Sequence, residues 1–210
     1  GCKRARAVAQ LLKPAMPYAA SVENAFYRDI QKRVAYARDA EALVEALDYL
    51  EIGVTEPHLA ESVAMLRESM AARAIRELEE HRASLRDQIE VACQLLGDAE
   101  RRLERLPLTD LRRRDLRLGA GLKWERCVAG FASLSEASAA PAFHAWRRQV
   151  KYAANQTQLL ASLAPARALT IGPRLRELAS LLGHAQDLEL LENLLRQQPD
   201  ALRIDTHVQR

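Results

Sequence analysis

His144, Arg147 and Lys151 stand at i, i+3 and i+7, with Arg148 one step round, so on a helix three cationic or protonatable groups share one face. Like charges this close repel, and the stripe costs helix stability unless an anion or acidic side chains neutralise it. In the preceding turns only Glu136 supplies a carboxylate. The chemistry implied is capture of a phosphate-type anion: Arg offers a planar fork of donors, Lys a mobile point charge, and His gains a proton beside a polyanion. Lys3, Arg6, Gln10 and Lys13 repeat the pattern at i, i+3, i+7 and i+10. A central block adds Arg112, Arg113, Arg114, Arg117, Lys123 and Arg126, with Arg113 and Arg117 one turn apart. Gly119, Gly121 and Gly130 in the same stretch would let another backbone or a ligand approach closely.

Nothing else in the chain forms a reactive constellation. His58, His81, His184 and His207 show no ligand spacing with each other, with Cys or with carboxylates, and Cys2, Cys93 and Cys127 are scattered. There is no phosphate-cradling Gly loop, no nucleophile elbow and no acid pair, so the expectation is a protein that is not an enzyme and needs neither metal nor cofactor. Trp124 and Trp146 read as core aromatics of helices, with base stacking the alternative. Asp39 and Asp187 read as helix-start caps or Arg partners, and Glu77, Glu79 and Glu80 as a solvated face.

The elements that must position these groups are helices. Ala, Leu, Arg and Glu dominate the 210 residues, aromatics are 5%, and Gly and Pro supply 8 each. Apolar residues recur at helical spacing, as in Val8, Leu11, Leu12 and Ala15, then Leu43, Ala46, Leu47 and Leu50. Breaks are expected at Pro14 to Pro17, Gly53 to Pro57, Leu106 to Asp110, Ser135 to Pro141, Pro165 to Pro173 and Pro199. Thr55 reads as an N-cap with Pro57 in the first turn, and Gly172–Pro173 as a second helix start. Thr55 to Leu106 runs too long for one ordinary helix, so two long antiparallel helices turning between Glu79 and Arg86 are expected. No apolar run approaches the roughly 20 residues that span a bilayer, and GCKRARAV lacks the apolar core of a signal peptide, so the expectation is a cytoplasmic protein with no membrane partner.

Net charge is +3, but it is unevenly laid out. Residues 1–38 carry 8 basic and 2 acidic side chains, residues 39–100 carry 5 and 15, residues 101–151 carry 12 and 5, and the remainder 6 and 6. Two basic blocks around an acidic one suggest an anion site assembled from separate parts of the chain.

Setting residue i against residue i+148 without gaps exposes an internal repeat. Lys3 meets Lys151, Gln10–Leu12 meet Gln158–Leu160, Pro17 meets Pro165, Arg28 meets Arg176, and Asp39, Glu41, Leu43 and Leu47 meet Asp187, Glu189, Leu191 and Leu195. Over residues 2–47 there are 13 identities in 46 pairs, several at charged or proline positions. Each copy reads as a helix, a Pro-bearing turn, a longer helix, and a further helix from near Asp39 or Asp187, to which a central helix adds to close a bundle. The counterpart of His144 would fall before Gly1, so the chain is expected to begin inside its first repeat.

The stretches HAWRRQVKYAANQTQLL and LRELASLLGHAQDLELLENLL, with KRARAVAQLL and YRDIQKRVAYARDAEALVEAL, resemble the CHAD family, the conserved-histidine α-helical domain. The resemblance implies an all-α fold of two four-helix bundles related by a pseudo-twofold axis, with a basic cleft between them that binds inorganic polyphosphate. The bundles would divide the chain near residue 106, as 1–106 and 107–210. Carried over residue by residue, the ligand set is His144, Arg147, Arg148 and Lys151 with Lys3 and Arg6, and Arg4 beside them; Lys13, Arg28, Arg113, Arg117, Lys123 and Arg126 complete the candidate surface, and Arg38 and Arg176 are basic neighbours. The expected role is a non-enzymatic binding or targeting module, in the cytoplasm and at polyphosphate granules. Two alternatives stay open: a nucleic-acid-binding helical protein, and an accessory domain of an enzyme that processes phosphate esters or triphosphates.

Overall fold

The computed structural model describes residues 1–135 and 137–197, with backbone alone for 36–40 and 167–168. The described residues form helices and no strand: α1 (Cys2–Leu12), α2 (Pro17–Arg33), α3 (Ala35–Gly53), α4 (Pro57–Glu80), α5 (Arg82–Leu103), a 3₁₀ turn at Leu108–Asp110, α6 (Arg113–Ala132), α7 (Ala140–Leu159) and α8 (Pro165–Gln197). No helix among them is long and apolar enough to cross a membrane.

Proline sets several of the starts. Pro17, Pro57 and Pro165 each open a helix, where the absent N–H has no intrahelical partner to lose. At α4 the N-cap is Glu56 rather than the expected Thr55, and no side chain caps it. At α6 the carboxylate of Asp115 accepts the Arg112 backbone N–H at 2.9 Å, tying down the first turn that carries Arg113. The break between α4 and α5 is the single residue His81, inside the expected window, but the two helices are not the antiparallel pair expected. α4 does not pack along α5, and one residue, whose N–H donates to the Glu77 carbonyl and whose carbonyl accepts from Leu85, is too short a link to reverse the chain.

The Gly172–Pro173 pair does not start a helix. Both lie inside α8, which runs unbroken from Pro165. The carbonyl that Pro173 leaves without a donor belongs to Leu169, which is 77% exposed, so solvent can satisfy it. Nor does a new helix begin near Asp187, which is interior to α8 and so caps nothing. Gly183 costs about 1 kcal/mol in a helix interior, too little to break one whose neighbours are good formers. In the first half the chain does break, at Val34. Glu136, the Arg38 and Asp39 side chains, Pro199 and His207 lie outside the described residues.

The chain divides into two compact units: Gly1–Lys32 with Ala92–Leu182, and Arg33–Val91 with the residues from Gly183 onward. These are not the sequential halves expected at residue 106, because the apolar faces find partners across that line. In the first unit, α1 lies on α6 and α7. Its core is Cys127, Trp146, Val150, Ala153, Ala154 and Leu175, with Ile171, Leu178 and Leu182 around them. In the second, Leu191 of α8 joins Leu47, Val63, Leu66 and Met70 of α3 and α4. The first unit draws on more helices than a four-helix bundle: α1, α2, the end of α5, α6, α7 and the start of α8. Within the second, the His184 ring lies 4.2 Å from the Tyr49 ring, a packing role.

Charge also divides between the units. The first carries 21 basic and 10 acidic side chains (+11), the second 10 and 18 (−8).

Candidate functional site: a cationic cluster where α1 meets α6 and α7

Alpha helix 1 is held against its neighbours backbone to backbone. A Cβ built on Gly119 of α6 would stand 1.9 Å from the Leu11 carbonyl oxygen, so only glycine permits this approach. From α7 the buried Gln156 donates its Nε2 to the Ala7 carbonyl at 3.1 Å, satisfying both groups away from water. Gly130 sits under Trp146, whose indole N–H donates to the Cys127 carbonyl at 3.0 Å. Trp146 is thus the core aromatic expected, while Trp124 is 43% exposed and is not.

With α1 so placed, two cations converge on one tyrosine. Arg6 donates Nη2 to the Tyr152 hydroxyl at 3.0 Å, Nη1 to Gln31 Oε1 at 3.0 Å and Nε to Asn24 Oδ1 at 3.3 Å. Lys123 donates Nζ to Gln10 Oε1 at 3.1 Å and lies 4.8 Å from the centre of the Tyr152 ring, a cation–π distance. Every one of these partners is neutral. Among the described residues no carboxylate pairs with Arg6 or Lys123. Lys123 is only 5% exposed. Burial first, then the charges of Arg126 and Lys13, push its ammonium down to about 8 from the ordinary lysine value. Lys123, Arg126 and Lys13 therefore feel one another, and an anion arriving there would relieve all three.

Tyr152 follows Lys151 directly, so the cluster adjoins the α7 stripe of His144, Arg147, Arg148 and Lys151, of which Arg148 is exposed and the others half-buried. Lys3, Arg6, Gln10 and Lys13 fall on one side of α1, and Arg4 falls on the opposite side. Arg28 is exposed and paired with its neighbour Asp29 at 3.3 Å. Arg113 and Arg117 belong to a different face of α6, on a cleft shared with Trp124. All thirteen candidate cations lie in the first unit, so they are gathered within one unit rather than contributed by one bundle each. Tyr152, Asn24 and Gln31 escaped the sequence reading. The one available signal was Tyr152 next to Lys151, an aromatic beside a basic stripe.

The acidic counterpart in the same unit is spent internally. Glu23, buried, accepts Arg102 Nε at 2.9 Å and Nη2 at 3.1 Å, and the guanidinium lies 4.1 Å from the Phe26 ring centre. That pair ties α2 to α5 and leaves no carboxylate of Glu23 for Arg6.

Among protein-family models, the one described as "CHAD domain" matches residues 1–196. Comparison with curated proteins and with solved structures gives no match.

Proposed function

The chain belongs to the CHAD domain family, and from that premise we propose that its first unit binds inorganic polyphosphate without turning it over. The observation that carries the reading is the Arg6–Tyr152–Lys123 cluster: buried or half-buried cations, held by neutral partners, in a unit of net charge +11. A buried ammonium without a carboxylate costs several kcal/mol, which a polyanion offsets and which water does only in part. His144, Arg147, Arg148, Lys151, Lys3, Arg6, Lys13 and Arg126 form the surface, with Lys123 buried beneath it and acting through its charge. Arg4, Arg28, Arg113 and Arg117 stand outside it, by the geometry above. Polyphosphate is preferred to nucleic acid because the aromatic at the cluster, Tyr152, has its hydroxyl bonded to Arg6 and its ring beside Lys123, leaving no stacking platform for a base. In the cell, such a module would act in the cytoplasm, bringing an associated domain or protein to polyphosphate granules.

The duplicated architecture belongs to the same proposal. It is supported by α2 and α8 both opening on a proline, Pro17 and Pro165, and by the units changing over after Lys32 and after Leu182, near-equivalent points under the 148-residue offset.

The test is competition. Labelled long-chain polyphosphate is bound at moderate salt and challenged with DNA or RNA at equal phosphate concentration. Retention of polyphosphate, together with a loss of about tenfold or more (~1.4 kcal/mol) in Arg147→Ala/Arg148→Ala, supports the reading. Displacement by nucleic acid overturns it. Release of inorganic phosphate from polyphosphate or a nucleoside triphosphate by pure protein overturns the non-enzymatic part.

A further inference from the structure

A cleft of about 770 Å³ opens between α6, α7 and the first turns of α8. Its walls are more apolar than polar, with Leu116, Trp124, Ala153, Leu160 and Ile171 the main apolar surfaces, Gln156 and Thr157 beside them, and two cations, Arg113 and Arg117, standing on it. Among the described residues no acidic side chain lines it. Both arginines are exposed, and among the described residues neither has a hydrogen-bond or ion-pair partner; the nearby Asp115 is taken up by the Arg112 backbone and lies 3.9 Å from Arg114. Mostly apolar walls with a few convergent polar groups, at this volume, are what small-molecule sites look like.

The cleft is separate from the cationic cluster. At about 100° per residue, Arg113, Arg117, Ala120 and Trp124 make one stripe along α6, with Lys123 and Arg126 roughly a quarter to a half turn away. On α7 the contrast is greater. Ala153, Gln156, Thr157 and Leu160 line the cleft, and His144, Arg147, Arg148 and Lys151 lie on the opposite side of the same helix.

We propose that this cleft is a second site, which takes a soluble single-chain organic anion, an alkyl chain along Trp124, Leu160 and Ile171 with its oxyanion head in the fork of Arg113 and Arg117. The charge complementarity names the head: paired guanidiniums match carboxylate or phosphate oxygens two at a time. The walls name the tail. A nucleobase is a poor fit, because the α7 side-chain donors that would read its edge are engaged, Gln156 Nε2 by the Ala7 carbonyl and Thr157 Oγ1 by the Ala153 carbonyl. The inference does not rest on polyphosphate binding.

Titration calorimetry on the full chain tests it, with dodecanoate and decyl phosphate as monomers, and decanol, inorganic phosphate and adenosine monophosphate as controls. One-to-one binding of an alkyl anion is expected, at least tenfold tighter than any control, and the tighter of the two identifies the head group. Arg113→Ala/Arg117→Ala removes two exposed, unpartnered side chains and is expected to weaken it at least tenfold without unfolding the chain. Gly121→Leu is the second variant: nothing lies within 4 Å of a Cβ at Gly121, so the fold accepts the side chain and the cleft is filled by it. Saturating polyphosphate is expected to leave alkyl-anion binding unchanged. Equal affinity for decanol, inorganic phosphate or the nucleotide overturns the proposal, as do unaffected variants or displacement by polyphosphate.

Discussion

Lys123 is where environment and chemistry disagree most. Its ammonium is buried, bonded to an amide and a ring, and flanked by two further cations, so its proton leaves near 8 in the folded chain against 10.5 for an ordinary lysine. The folded value is the lower one, so the unfolded chain binds more protons between those values, and stability rises with pH across that window. Below 8 the full cost of the buried charge is present. Lys123→Met removes it while keeping the apolar stem, and is expected to stabilise the free protein by about 2 kcal/mol at pH 7, with the gain fading as pH rises from 8 to 10.5. Urea denaturation of both proteins at pH 7 and pH 10 measures it; a pH-independent difference would show that the charge is already neutralised. The same variant is expected to bind polyphosphate more weakly, so stability and binding move in opposite directions. Of this cluster the sequence revealed Arg6, Gln10, Lys13 and Lys151 by their helical spacing alone. It could not reveal that Lys123 is buried, because that depends on which helix lies over it, and Tyr152 has no periodic partner to mark it.

At the scale of the element, two glycines of α6 separated by one residue carry opposite consequences. Gly119 meets the Leu11 backbone, and Gly121 meets nothing within 4 Å. Gly121→Ala is therefore expected to stabilise by about 0.5–1 kcal/mol through helix propensity. Gly119→Ala gains the same propensity but drives α1 off α6, and is expected to destabilise by about 1–3 kcal/mol net. Thermal melts of the two single variants compare them directly. Boundaries at this scale were legible where proline opened a helix or a Gly–Pro cluster closed one, as around Gly53–Pro57. They were illegible in α8, where Pro173 sits inside a helix because an exposed carbonyl tolerates the missing donor. Propensity at a proline says that a donor is lost, and only the folded surroundings say whether the loss matters.

At the scale of the molecule, the division into units was the least legible feature. Segment charges hinted at it, but each unit is assembled from two stretches of chain, and pairing between distant segments leaves little trace in a single sequence. Once the units are known, the charge separation is plain, +11 against −8. Mass action predicts that polyphosphate at about 100 times its low-salt dissociation constant adds about 2.7 kcal/mol to stability at low salt. Raising salt to about 0.5 M shortens the screening length and is expected to remove most of that gain. Melting curves at two ionic strengths, with and without polyphosphate, decide it; a salt-independent shift would point to apolar rather than ionic contacts.

The closure of α1 over Lys123 also sets a timetable for covalent labelling. The chain has five lysines: Lys3, Lys13 and Lys32 are exposed, Lys151 is half-buried, and Lys123 is sealed beneath another helix. An amine-acylating reagent would modify the four at rates governed by their own basicity, and the fifth only when α1 lifts away. The acylation rate at Lys123, read by mass spectrometry of its peptide, is thus a clock for a single local opening event, and a bound polyanion would slow that clock without touching the reagent.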